Sequence, residues 1–110
     1  MKIENTKAQM RKGILEFCIL QLIRKEEMYP SDIIAALKES KLIVVEGTLY
    51  PLLTSLKNDG ILDYRWEESK SGPPRKYYNL TPIGEQVLQE LKQTWDELLR
   101  AVNRTIKEQT

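Results

Sequence analysis

Two sets of residues in this 110-residue sequence have types and spacing that could do chemistry. Both suit hydrogen bonding and charge neutralisation rather than bond-making. The first set interleaves Gly47, Thr48, Tyr50, Pro51, Thr54, Ser55, Lys57 and Asn58 with Leu49, Leu52, Leu53 and Leu56. At about 100° per residue the leucines share one face of a helix. Gly47, Pro51, Thr54 and Asn58 then point directly away, flanked by Thr48, Tyr50, Ser55 and Lys57. Small hydroxyls and an amide on such a face can enter a DNA groove and meet phosphate oxygens or base edges. An ordinary solvated face carries Glu and Lys, whereas here Lys57 is the single charge. The second set is Lys70, Arg75 and Lys76 around Gly72, with no acid between positions 69 and 80. Cations on a thin hairpin can lie along a phosphate backbone and release its counterions. Solubilising charge on an exposed turn is the plainer alternative.

Catalysis lacks its parts. The sequence has no histidine, so neither a histidine-based triad nor a histidine-containing zinc site can be built. No glycine-rich phosphate loop follows a strand. Glu67, Glu68, Asp96 and Glu97 lie among other surface-type residues that offer nothing to tune them for acid–base work. Cys18, among apolar neighbours, reads as a small buried hydrophobe. As the one cysteine it cannot close an intramolecular disulfide, which favours a reducing cytoplasm. The expectation is a protein that is not an enzyme, with no catalytic residue, no metal and no cofactor.

The elements that must position the two sets follow from periodicity. From Lys7 to Lys25 the chain reads as a helix that is apolar almost all round, through Ile14, Leu15, Phe17, Cys18, Ile19, Leu20, Leu22 and Ile23. Such a helix needs cover on several sides, and a second subunit could supply part of it through Leu15 and Ile19. After the break at Tyr29-Pro30, Ser31 is the expected N-cap of a second helix over about 31–40. A connector over 41–45 leads to the third helix, about 46–59, which Gly60 stops. Pro51 leaves two options there. The helix bends around it with Gly47 beneath, or it begins near Thr48 and holds the proline in its first turn.

Alternation then replaces the helical period. Asp63–Glu68 and Arg75–Leu80 read as paired strands, with a loop over Ser69–Pro74. Thr81 and Pro82 open a last helix, Pro82 to Lys107, ~40 Å long at the standard rise. Val87, Leu91, Trp95, Leu98, Val102 and Ile106 recur along it every three or four residues, as in a helix–helix seam. That seam is too long for so small a domain to cover, so a symmetric homodimer is expected through Val87, Leu91, Trp95, Leu98 and Val102. Trp95 serves there as an interface anchor, and it could also flank a site for a flat aromatic ligand.

The fold class expected is mainly α with a small β-hairpin. It is a winged helix-turn-helix over residues 1–81 joined to a long C-terminal dimerisation helix over 82–110, in one structural unit. The composition, 41% hydrophobic and 30% charged, excludes a disordered chain. No apolar run approaches the ~20 residues of a membrane span. Met1–Lys7 lacks the apolar core of a secretory signal, so cytoplasmic localisation without a membrane partner is expected. A net charge of +1 is a weak recommendation for a nucleic-acid binder. Its distribution says more. Lys2, Lys7, Arg11 and Lys12 face only Glu4 within the first twelve residues, and residues 69–80 carry Lys70, Arg75 and Lys76 with no acid.

Three stretches together carry a family resemblance. Glu46-Gly47-Thr48-Leu49-Tyr50-Pro51-Leu52-Leu53, with Leu56 and Asp59-Gly60, resembles the recognition-helix signature of PadR-type transcriptional regulators. Arg75-Lys76-Tyr77-Tyr78-Asn79-Leu80-Thr81-Pro82-Ile83-Gly84 is similar to that family's second wing strand and the start of its C-terminal helix. Arg11-Lys12-Gly13-Ile14-Leu15-Glu16 resembles its opening helix. The likeness spans roughly residues 10–100, in order, and the length is that of the short, single-dimerisation-helix subfamily. Tyr29-Pro30-Ser31 departs from the family's common Tyr-Gly-Tyr, away from the reading helix. The resemblance implies repression of a nearby gene through double-stranded DNA, relieved by an effector. Some members bind planar drugs or phenolic compounds, which would make Trp95 an effector residue. The alternative is a winged-helix protein-interaction module that never touches DNA, for which the near-neutral charge speaks.

Overall fold

The computed structural model describes residues 1–108, so the last two positions of the region 82–110 lie outside the described residues. Its elements are α1 (Ile3–Lys25), α2 (Pro30–Glu39), α3 (Glu46–Asn58), β1 (Leu62–Ser69), β2 (Gly72–Leu80) and α4 (Pro82–Lys107). The two strands form one antiparallel sheet, with Tyr64 opposite Tyr78 and Trp66 opposite Lys76.

Chain ends and turns explain the boundaries. α1 starts four residues before the expected Lys7, since Glu4 sits favourably in the first turn and pairs with Lys7 at 3.7 Å. At α2 the expectation of Ser31 as N-cap is corrected: Tyr29 is the cap and Pro30 the first helical residue. A proline's fixed φ and missing N–H suit that position better than any other. The Asp32 carboxylate accepts from the Tyr29 N–H at 3.2 Å and completes the cap. α2 and α3 both end in Schellman turns. Leu42 N–H reaches the Leu37 carbonyl at 2.9 Å and Ile61 N–H the Leu56 carbonyl at 3.0 Å. The left-handed residue is Gly60 (φ 76°) in the second turn but Lys41 (φ 68°) in the first. A side chain there carries a steric cost that glycine avoids.

The hairpin is tighter than the expected 69–74 loop. Only Lys70 and Ser71 separate the strands, and Pro73 and Pro74 belong to β2. β2 is an edge strand, where a missing N–H breaks no ladder bond on the open side.

The core gathers Ile19, Leu20 and Ile23 of α1, Ile33 and Leu37 of α2, Leu49, Leu53 and Leu56 of α3, then Leu62, Tyr78 and Leu88. Apart from the Tyr78 phenol, no polar or charged side chain among the described residues is buried in it. α1 lies against α2, β2 and α4 of its own chain, which is why it can be apolar nearly all round. The expectation that Leu15 and Ile19 face a partner subunit is therefore corrected. Ile19 is 0% exposed and Leu15 7%, both spent on the chain's own core. α4 is different. Beyond Leu88 its stripe is open, with Leu91, Leu98, Leu99, Val102 and Ile106 all exposed. The projecting helix lifts the radius of gyration to 16.1 Å, against about 13 Å for a compact chain of this length.

Candidate nucleic-acid interface

α3 begins at Glu46 with Val45 as its N-cap, so Pro51 lies inside the helix and not in its first turn. Of the two options left by the sequence, the one with Gly47 beneath the proline ring is the one observed. Gly47 is exposed with open space around it, and its backbone can take up the adjustment the ring requires. Leu49, Leu53 and Leu56 anchor the inner face, while Gly47, Thr48, Tyr50, Pro51, Thr54, Ser55 and Asn58 are exposed. Lys57 is half-buried, with its ammonium 3.9 Å from Asp63 and 5.9 Å from the Tyr64 ring, so part of its charge is answered within the chain.

The hairpin is fixed firmly beside α3. Met28 and Tyr78 exchange backbone hydrogen bonds of 3.2 and 2.9 Å, which docks β2 onto the α1–α2 connector. On the outer face, Tyr29 meets Tyr77 edge-on at 4.3 Å, and Arg65 lies over Tyr77 at 4.7 Å while bonding Glu27 at 2.8 Å. Burial, then the Glu67 charge and its hydrogen bond, push the Tyr29 phenol above its ordinary range. On the inner face Tyr78 is buried, and that burial, with Tyr64 and Tyr50 acting the same way, raises its phenol too. Both phenols stay neutral donors at ordinary pH.

Arg75, Lys76, Tyr50 and Thr54 come together across a groove of about 440 Å³ between α3 and the open edge of β2. Pro30 and Ser31, at the start of α2, close one end. Lys70 stands apart at the hairpin tip. Gly47 and Thr48 open instead on a wider cleft behind α3, of about 800 Å³, shared with Arg11, Lys12 and Leu15. Asn58 lies on the outward face with Tyr50 and Thr54. Neither Arg75, Lys76 nor Lys70 has a carboxylate within ion-pair distance among the described residues. Trp66, which the sequence reading passed over, walls the same groove and is 60% exposed. Strand alternation carried the signal, since period two from Leu62 puts Tyr64 and Trp66 on the face turned towards α3.

Elsewhere the chemistry is quiet. Burial raises the Cys18 thiol above its ordinary value, which disfavours the reactive thiolate. Among the described residues no group of three or more Cys, Asp or Glu side chains is placed to hold a metal ion. No helix among them is long and apolar enough to cross a membrane.

Three helices, a wing beside the third, and a long fourth helix with an open apolar stripe define a winged helix-turn-helix protein, an architecture that DNA-binding regulators use. A family model of PadR-like transcriptional regulators matches residues 19–90. A PadR-like transcription factor from Bacteroides fragilis, solved by X-ray crystallography, is 63% identical, with 91% of this chain and 97% of that one covered and a TM-score of 0.78. A PadR-family regulator from Eggerthella lenta is 30% identical, covering 94% and 91%, with a TM-score of 0.84. A PadR-like regulator from Bacillus cereus is 37% identical, covering 89% and 96%, with a TM-score of 0.78. The chain belongs to the PadR-like family of transcriptional regulators, and it is not an enzyme.

Proposed function

We propose that the chain is a cytoplasmic repressor that binds a near-palindromic operator as a homodimer and is released by a small planar aromatic ligand. One observation carries the DNA reading: the Tyr50 and Thr54 hydroxyls of α3 meet the wing cations Arg75 and Lys76, which have no carboxylate within ion-pair distance among the described residues, along one groove. In this reading Gly47, Thr48, Tyr50, Pro51, Thr54, Lys57 and Asn58 approach the major groove while Lys70, Arg75 and Lys76 hold phosphates. The homodimer rests on the open stripe of α4, where Leu98 and Val102 are more than half exposed. A long helix with that much apolar surface is stable in water only when covered. Val87 and Trp95, half-buried on the same stripe, extend the interface. A two-fold dimer sets its two reading helices about one DNA turn apart, ~34 Å, and so selects a near-palindrome. The effector reading rests on Trp95 alone, a ring on an uncovered face where a flat aromatic can stack.

Selection from a randomised duplex pool tests the core of this. Enrichment of an inverted repeat with half-sites about one turn apart is expected. A chain acting only as a protein-interaction module would enrich nothing.

A further inference from the structure

Trp66 is a large aromatic left 60% exposed on a hairpin whose base is docked through Met28 and Tyr78. It is held in place: its ring meets Tyr64 edge-on at 5.9 Å, and the Lys76 ammonium sits 5.5 Å from its centroid and 4.5 Å from that of Tyr64. This ordered tryptophan forms one wall of the groove whose other wall is Tyr50 and Thr54 of α3.

The groove's polar groups share one property. Lys76 and Arg75 can only donate, and so can the Trp66 indole N–H, while the Tyr50 and Thr54 hydroxyls can each donate as well. No carboxylate lines the groove. Backbone geometry adds a further donor. Tyr78 turns both its N–H and its carbonyl away from β1, towards Met28. Two residues back, Lys76 has the same orientation, so its N–H, together with its carbonyl, faces the open edge of β2. A donor-rich trough with an aromatic wall matches a strand that alternates acceptor-only phosphates with apolar deoxyriboses. Base edges, which mix donors and acceptors, fit it less well.

We propose that this groove seats one sugar–phosphate strand of the duplex, with Trp66 packed against a deoxyribose and its indole N–H directed at a phosphate oxygen. The inference rests on the DNA-binding reading above and names a contact that reading does not contain. Because the contact is to the backbone, it adds affinity on every sequence alike.

Two measurements on the full-length chain test it, each following binding by the anisotropy of a labelled duplex. Titrating duplex into the wild-type protein should quench tryptophan emission in step with binding. In Trp66→Phe, which leaves Trp95 as the only tryptophan, that quench should vanish. Trp66→Ala should weaken binding about five- to tenfold on operator and random duplex alike. Its salt dependence should not change, because no charge is lost. An exposed side chain is being removed, so circular dichroism should stay that of the wild type. If labelled duplex binds while wild-type emission is unchanged, or Trp66→Ala binds as tightly as wild type, the groove is not the strand's seat and the DNA-binding reading stands without it. Should no duplex bind at all, the proposed function fails and this inference fails with it.

Discussion

Replacing Lys76 by Gln removes one positive charge from the groove and little else. Its ammonium has no carboxylate within ion-pair distance among the described residues, only the faces of Tyr64 and Trp66 at 4.5 and 5.5 Å. Losing such a contact at a half-exposed site costs about 0.5–1 kcal/mol of stability, too little to unfold a domain. The effect on DNA is larger and has a signature. One neutralised phosphate contributes about 0.9 to the slope of log K against log salt. Lys76→Gln should therefore reduce that slope by about 0.9. Affinity should fall about eightfold at 0.1 M relative to the loss at 1 M, or ~1.2 kcal/mol. Arg75→Gln should do the same, and the double variant should lose about 1.8 in slope, provided each cation holds its own phosphate. Lys57→Gln is the internal comparison. Asp63 at 3.9 Å already answers part of that charge, so the slope should change less. Thr54→Val keeps the shape and removes only a hydroxyl of the reading face. Where Thr54 meets a base, the cost is ~1–3 kcal/mol at particular operator positions, with the slope unchanged. Fluorescence anisotropy over a range of salt concentrations, on operator and random duplex, measures all of this. Slopes that are identical in wild type and the Lys76/Arg75 double variant would refute the assignment of the wing to phosphate.

Leu98→Glu combined with Val102→Glu should leave the fold intact, because both side chains are exposed on their own chain, yet convert the proposed homodimer to monomer by light scattering. If the double variant remains dimeric, the α4 stripe is not the interface. Trp95→Ala should abolish the quenching of tryptophan emission by planar aromatic dyes, and dyes that bind wild type should weaken its hold on operator. Equal dye binding by both proteins removes Trp95 from the site. Lys41→Gly relieves a left-handed backbone (φ 68°) and should raise stability in urea by about 1 kcal/mol. A loss of stability there would mean that the lysine side chain contributes more than its conformation costs.

Much of this architecture is legible in the sequence because its signals are local. Thr81 and Pro82 mark the start of α4, and the Thr81 hydroxyl does accept the Gly84 N–H at 3.0 Å. Gly60 stops α3 because the Schellman turn needs a left-handed residue there. The errors arise where a residue's role depends on what lies opposite. Leu15 and Ile19 belong to a helix whose apolarity calls for cover, but its sequence does not say whether that cover is α2, β2 and α4 of the same chain or a second one. Ser31 is a better N-cap by type than Tyr29, and Pro30 overrides it by taking the first helical position. Ser69–Pro74 has the composition of a loop, but prolines are admitted to a strand whose outer edge is free. Alternation from Leu62 gives Trp66 its face, whereas its neighbour Lys76 follows only from the register between the strands.

The two halves of the proposed function are joined by a small set of contacts at one corner of the fold. Thr81 directs its hydroxyl proton at the Gly60 carbonyl, 2.6 Å away, and its N–H bonds the Ile61 carbonyl at 3.1 Å. The turn that ends α3 is thereby tied to the residue that starts α4. Gly84 brings the helix so close to that turn that a Cβ would collide with the Ile61 carbonyl oxygen and the Leu80 side chain. Arg24 and Glu85, 2.7 Å apart, fix the same end of α4 to α1. The end of the third helix and the start of the long helix are therefore tied to each other directly. In a symmetric dimer, the crossing of the two α4 helices then sets the distance between the two α3 helices. In the proposed reading, a ligand lodged at Trp95 would act on DNA only through that crossing, by favouring one spacing over the other, and operator binding would then disfavour the ligand by the same factor. A ligand with equal affinity for both spacings would leave operator binding untouched, however tightly it bound.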